Sequence, residues 1–302
     1  MQVHRGESCL EAVSYLIFRG PVALPRLASL SFLISSLTKM VLPIFQVNAF
    51  TDKLFSGNPA GVCILSEPKN DEWLQNVARE LNLAETAFLL KEGEGFRLRW
   101  FSPVVEIDLC GHATLACAHV LWERAYLKAN NPARFFTTSG LLTAKRKNDW
   151  IELDFPSEPA KKVTTPKFIA EALGVVPLYV GKNRFDYLVE VKSEKTLKEL
   201  RPDLSLIKKM PVRGLIVTSV AKSGNYDYVS RFFAPAAGID EDHVTGSANC
   251  CLAPFWKERL NKNDFFAYQA SPRGGFMHVR ISGKRVLLLG KAVTFLSGEI
   301  AI

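Results

Sequence analysis

Short apolar runs separated by glycine, proline and asparagine fill the chain from residue 43 onward, the pattern of strands joined by turns. Residues 43–49 and 61–65 read as strands around the turn Ser56-Gly57-Asn58-Pro59. Leu74, Val77, Ala78 and Leu81 then follow the i, i+3, i+4, i+7 spacing of an amphipathic helix capped by Asn70 or Asp71. Strands at 86–90 and 96–101 precede a helix over about 112–126. Farther on, strands at 178–179 and 187–191, a helix near 195–200, and strands at 215–219 and 226–233 lead to a helix after Gly246. Strands at 265–270, 278–281 and 286–295 close the chain. The helix that starts near His112 is apolar nearly all round, which requires burial on every side. Pro254 is expected to kink the second such helix or to end its first turns.

An internal repeat orders these elements. Residues 99–108 read RWFSPVVEID and residues 231–240 read RFFAPAAGID, with Arg, Phe, Pro, Ile and Asp coinciding at one offset. Three residues of slippage later, Cys110-Gly111-His112-Ala113 faces Thr245-Gly246-Ser247-Ala248, and each enters an apolar helical stretch ending near Trp122 or Trp256. Two related halves are expected, 40–157 and 158–302, divided where Pro156, Pro159 and Pro166 mark a linker. The last strand is free to return to the first half. A buried helix amid strand-forming sequence, once per half, implies an α+β fold with a sheet wrapped around a central helix in each.

Composition narrows the class. The 302 residues are 48% hydrophobic and 23% charged, ordinary values for a globular protein. Disorder, a disulfide scaffold and a multi-span membrane protein are excluded. The net charge of +8 is dispersed, with no run of five like charges, so it describes a solvated surface rather than a nucleic-acid footprint. Such a surface can still steer a small anion. Six cysteines without a CxxC fit a reducing compartment, and a cytoplasmic location is expected. Residues 1–39 differ from the rest: their apolar stretch from Leu27 to Leu37 carries serines and is too short to span a bilayer. The segment reads as an upstream extension, with an organelle transit peptide as the alternative.

Cofactor motifs are absent: there is no GxGxxG, P-loop, HExxH or GxSxG. Cys110 and His112 with Cys117 and His119 resemble metal ligands, but positions seven apart on a helix are separated by about 10.5 Å. They cannot share a zinc, and no metal site is expected. The glycine-led helix starts are better candidates. Gly111 and Gly246 let the chain turn sharply, and the free N–H groups beyond them form anion sites that can face each other across a cleft. Helix capping by Ser247 and Asp242 beside a packed His112 is the plainer reading of the same residues. Glu85, read alone, is an exposed junction between a helix and an apolar strand; buried there, it would serve as a general base.

Four motifs in order, Asn82-Leu83-Ala84-Glu85-Thr86-Ala87-Phe88, Cys110-Gly111-His112-Ala113-Thr114-Leu115-Ala116, Asp242-His243-Val244-Thr245-Gly246-Ser247-Ala248 and Ser271-Pro272-Arg273-Gly274-Gly275, resemble the signatures of the PhzF (phenazine biosynthesis-like) family. The opening residues 42–50 and the Gly57-Asn58-Pro59-Ala60 turn fit as well, so the resemblance covers about residues 40–302. It implies the diaminopimelate-epimerase-like fold, a homodimer, no cofactor, and a site between the halves that takes a small anionic metabolite. It further implies Glu85, His112 and Asp242 as catalytic residues. Gly111, Ala113, Thr245, Gly246, Ser247, Arg273 and Gly274 are the implied substrate contacts. Two departures stand beside these residues: Ala84 where the family commonly has Ser, and His243 where it commonly has Pro.

The function expected is therefore a cofactor-independent isomerase that moves a proton on a small carboxylated metabolite, with neither nucleic acid nor membrane as partner. A non-catalytic binding relative is the alternative. A racemase using two thiols is a weaker one, because Cys110 faces Thr245 in the repeat. If residues 1–39 are an extension, a chain starting at Met40 unfolds as cooperatively as the full chain in thermal melts followed by circular dichroism. Loss of cooperativity in the shorter chain rules that reading out.

Overall fold

Strand-forming sequence dominates both halves, and in the computed structural model, which describes residues 41–222 and 224–301, it builds one continuous mixed sheet. The expectation for residues 1–39 lies outside the described residues. The first half contributes β1 (Val41–Ala49), β2 (Asn58–Leu65), β3 (Glu85–Glu92), β4 (Gly95–Phe101), β5 (Glu106–Ile107), β6 (Ala133–Thr137), β7 (Gly140–Lys147) and β8 (Trp150–Pro156). The helix α1 (Asp71–Leu81) joins the parallel pair β2 and β3, and Asn70 caps it by accepting from Trp73 N–H at 2.8 Å. A second helix, α2 (Gly111–Glu123), makes the crossover that the parallel pair β4 and β6 requires.

The second half retraces this order. It holds β9 (Lys161–Lys162), α3 (Lys167–Leu173), β10 (Tyr179–Lys182), β11 (Asp186–Glu190), the short helices α4 (Glu194–Glu199) and α5 (Leu204–Lys208), and β12 (Gly214–Val220). There follow β13 (Tyr228–Ala234), β14 (Ile239–Asp242), α6 (Gly246–Leu260), β15 (Asp264–Gln269), β16 (Gly275–Ser282), β17 (Arg285–Gly290) and β18 (Ala292–Ala301). Here β11 and β12 are parallel, as are β13 and β15, matching the two parallel pairs of the first half. The seam is the antiparallel pair β8–β17, with Leu153 opposite Leu288. After each seam strand the chain crosses over. β9 pairs with β10 of the second half, and β18 pairs along all of β1 in the first.

Burial follows the apolar pattern. His112 to Ala118 and Val120 to Trp122 are all buried in α2, and one apolar core runs from this helix through the seam to α6. No helix among the described residues is long and apolar enough to cross a membrane.

Two expectations need correction. Of the two outcomes expected at Pro254, the early end is corrected: α6 continues past it to Leu260. A proline at 254 cannot donate to the carbonyl of residue 250. That carbonyl is satisfied from outside the helix, by Glu158 N–H at 3.0 Å. The run 286–295 is not one strand: it breaks at Lys291 into β17, bound to β8, and β18, bound to β1.

Beneath the two helix starts the seam supplies an apolar floor. A Cβ placed on Gly111 would meet the Phe155 ring at 3.8 Å, and one on Gly246 would meet Leu288 at 3.4 Å. Phe155→Ala removes a ring that is 6% exposed, and is expected to lower stability by about 3–5 kcal/mol in urea unfolding. A loss under about 1 kcal/mol would show that the floor does not bear on the fold.

Candidate active site

The starts of α2 and α6 meet. A Cβ built on Gly111 would lie 3.7 Å from Gly246 Cα, contact distance, so the two N-termini abut with nothing between them. Neither N-cap residue, Cys110 or Thr245, makes a side-chain capping bond. The positive ends of both helices therefore point into one small volume.

Four side chains converge there. Glu85 opens β3, opposite Ala60 of β2, and is 7% exposed. The exposed junction expected from sequence is thus corrected: residues distant in the chain cover it. His112, the second residue of α2, places Nε2 3.1 Å from Glu85 Oε2. The contact is close but lacks hydrogen-bond alignment, and both atoms are buried without another partner. Asp242 ends β14 and is partly shielded; its Oδ1 accepts from Asn58 Nδ2 at 2.7 Å and its Oδ2 from Thr245 Oγ1 at 2.6 Å. Gln269 fixes the same turn: its Nε2 donates to Asp242 O at 2.6 Å, and its Oε1 accepts from Thr245 N–H at 2.8 Å.

Asn58 ties the cluster together and is fully buried. Beyond Asp242, its amide nitrogen donates to Val244 O at 2.9 Å and lies 3.2 Å from His112 Nδ1. Its own Oδ1 is buried with no partner. Sequence reading placed Asn58 only in a turn. The available signal was its neighbourhood, since Gly57 is held at φ +70° and brings the asparagine to the first position of a buried strand.

Electrostatics follow from this packing. Burial opposes charge on His112, but Cys110 and Glu85 outweigh it and raise its pKa well above the usual value. Burial pushes Asp242 upward, against the His112 charge and the hydrogen bonds from Thr245 and Asn58. Burial also raises the Cys110 thiol, whose Sγ lies 3.5 Å from His112 Nδ1. His243, half-buried, is lowered by burial and by Arg273.

The remaining sequence candidates divide. Gly111, Ala113, Thr245, Gly246 and Ser247 surround the junction as parts of the two helix starts. Arg273 has different work: Nε donates to Gly57 O at 2.9 Å, and Nη2 to Ser56 O at 3.2 Å and Asn48 Oδ1 at 3.3 Å. Gly274 O accepts from Gly57 N–H at 2.7 Å. The motif from the second half thereby clamps the turn that carries Asn58 in the first. A cavity of about 730 Å3 in the first half, beside Phe88 and Leu98, is a poorer candidate. Its Arg97 and Arg99 are already paired with Glu92, Glu106 and Asp71.

If Asn58 holds the cluster, Asn58→Ala leaves Asp242 Oδ1 and Val244 O without their donor, at about 1–3 kcal/mol for each buried group. Asn58→Asp is expected to be worse, because it sets a second carboxylate against Asp242. Thermal melts of the two variants check the order, and equal stability of both with the parent removes the role.

Comparison with known proteins agrees with this architecture. The sequence pattern of phenazine biosynthesis-like proteins (PhzC-PhzF) matches residues 47–298. An uncharacterized isomerase of Halalkalibacterium halodurans is 54% identical over 264 residues, spanning 87% of this chain and all of that protein. The crystal structure of a PhzF-family protein from Enterococcus faecalis superposes with a TM-score of 0.84 at 40% identity, over 87% of this chain and all of that one. A probable proline racemase from Agrobacterium radiobacter shares the fold alone, with a TM-score of 0.58 at 13% identity over 86% of this chain and 93% of that one. The α+β architecture is thus the epimerase-like fold, and the chain belongs to the PhzC-PhzF, phenazine biosynthesis-like family.

Proposed function

We propose that this protein is a cofactor-independent isomerase that moves a proton between two carbons of a small, unsaturated, carboxylate-bearing metabolite, with Glu85 as the acid–base group. One observation carries the reading: a buried carboxylate oxygen, Glu85 Oε2, has no aligned hydrogen-bond partner and lies 3.1 Å from the His112 imidazole. The isomerase names of close relatives agree with it.

The twin helix starts supply the anion site. N–H groups of residues 111–113 and 246–247 favour a carboxylate. Glu85 takes the proton from an activated C–H bond, and the electron pair left behind delocalises over the unsaturated system toward that carboxylate. His112 and the helix ends stabilise the developing charge. The protonated Glu85 then returns the proton at the other carbon, so no atoms are gained or lost.

A single glutamate serves as the base, because the repeat offers no counterpart to it. In the matching registers of the two halves, Thr86 pairs with Phe101 and Leu215 with Phe233, so the counterpart of Glu85 is Gly214. Even a Cβ there would lie 2.5 Å from the Phe232 ring. Proton removal and return therefore occur on one face of the substrate. The two-thiol alternative lacks a partner for Cys110, since Thr245 occupies the matching helix start and its hydroxyl donates to Asp242.

Glu85→Gln keeps size but cannot accept a proton, and is expected to lose roughly 10²–10⁴-fold in turnover while still binding ligand. The assay is deuterium incorporation from heavy water into a panel of small unsaturated carboxylic acids. A variant that exchanges as fast as the parent excludes Glu85 as the base. A parent that binds such acids without exchange favours a non-catalytic binding protein.

A further inference from the structure

The proton shift makes no use of the Cys110 thiol, although this group stands inside the site. Its Sγ is 3.5 Å from one imidazole nitrogen of His112, while the other is 3.1 Å from Glu85 Oε2. One donor atom from each of Glu85, Cys110 and His112 lies within 4.8 Å of the other two, and all three residues are buried. Helix spacing rightly disqualifies Cys117 and His119 as partners, but the third donor comes from β3 instead.

Sulfur, imidazole nitrogen and carboxylate oxygen form the donor set of a borderline-soft divalent ion, Zn2+ above all. Two zinc bonds of roughly 2.0–2.3 Å at a tetrahedral angle hold their donors roughly 3–4 Å apart. An ion takes only one imidazole nitrogen, so the three donors, now within 4.8 Å of one another, draw together by small side-chain rotations on binding. Three protein ligands with a fourth position for water is the arrangement of open zinc sites. Glu85 Oε2 and His112 Nε2 are buried, and beyond their mutual 3.1 Å contact, which lacks hydrogen-bond alignment, neither has a partner. That leaves lone-pair capacity in the cluster for a ligand.

We propose that Glu85, Cys110 and His112 form an inhibitory site for Zn2+ and similar thiophilic divalent ions. On binding, the thiol proton and the proton on the coordinating imidazole nitrogen pass to solvent, and the metal takes the thiolate, imidazole and carboxylate as ligands in place of water. No redox change occurs. The inhibition rests on the reading of Glu85 as the base, because a coordinated carboxylate cannot accept a proton; the binding does not.

Cd2+ is the probe, because thiolate coordination gives an ultraviolet charge-transfer band in the reduced, metal-free full chain without any substrate. The band is expected to saturate at one equivalent in the parent and to persist in Cys9→Ser and Cys63→Ser. Cys110→Ser should abolish it and weaken Zn2+ binding by more than about 100-fold, beyond what loss of an outer partner costs. Glu85→Gln should keep the band and weaken binding. No band in the parent, or an unchanged band in Cys110→Ser, overturns the site and leaves the role of Glu85 untouched. In the exchange assay, stoichiometric Zn2+ should silence the parent. Cys110-dependent binding that leaves exchange unaltered overturns the inhibitory role, and Glu85 as the base with it.

Discussion

Two helix N-termini in van der Waals contact are an unfavourable arrangement, and most of the molecule can be understood as its consequence. Each start carries roughly half a positive charge on N–H groups that lack intrahelical acceptors. With Gly111 against Gly246, and no side-chain cap on either helix, these charges share one desolvated volume. A carboxylate is stabilised there, and Glu85 and Asp242 both arrive from sheet strands. A small anion would be stabilised for the same reason. The glycines are what permit the contact: they keep side chains out of the junction, while Phe155, Leu288 and Phe50 fill the space behind it.

The fold is duplicated but the chemistry is not. Arg99 grips Glu106 through two hydrogen bonds, at 2.7 and 2.6 Å, and Arg231 grips Glu241 in the same way, at 2.7 and 2.8 Å. Each pair braces the segment that leads into a central helix. The residues at the helix junction instead break the symmetry: Glu85 against Gly214, His112 against Ser247, Cys110 against Thr245. Asp242 lies within the three extra residues that the second half carries before its helix. Structural struts can serve twice, because the same strand order precedes the central helix in each half.

What was legible in the sequence is what depends on local pattern. The all-round apolar character of 113–122 announced a helix buried on every side, and the 99–108 and 231–240 segments fall on strands with equivalent neighbours. The strands at 133–156 escaped notice because their outer faces are polar and the lysine-rich stretch 145–147 hides the alternation. Pro254 misled because its missing hydrogen bond is repaired by Glu158, 96 residues before it, which no local rule can see. Burial of Glu85 was illegible for the same reason, since its cover comes from His112 and the junction. Asn58 resembled an ordinary turn residue because its partners, Asp242 and Val244, lie 184 and 186 residues away.

The site itself works against stability. Glu85 Oε2 and His112 Nε2 are buried with only each other at 3.1 Å, and Asn58 Oδ1 is buried with no hydrogen-bond partner, which costs about 1–3 kcal/mol for such a group. A structure keeps such a cluster only where its surroundings leave no cheaper arrangement. Here the crossovers provide the constraint. β18 lies along the whole of β1, the seam joins β8 to β17, and Arg273 reaches from one half to hold the turn of the other. To relax Asn58 or Glu85 by parting the halves would break all three sets of bonds together. The interlocked sheet therefore does more than bring the two helix starts together. It holds polar groups in a geometry they would otherwise abandon, which leaves them poised for a ligand rather than for one another.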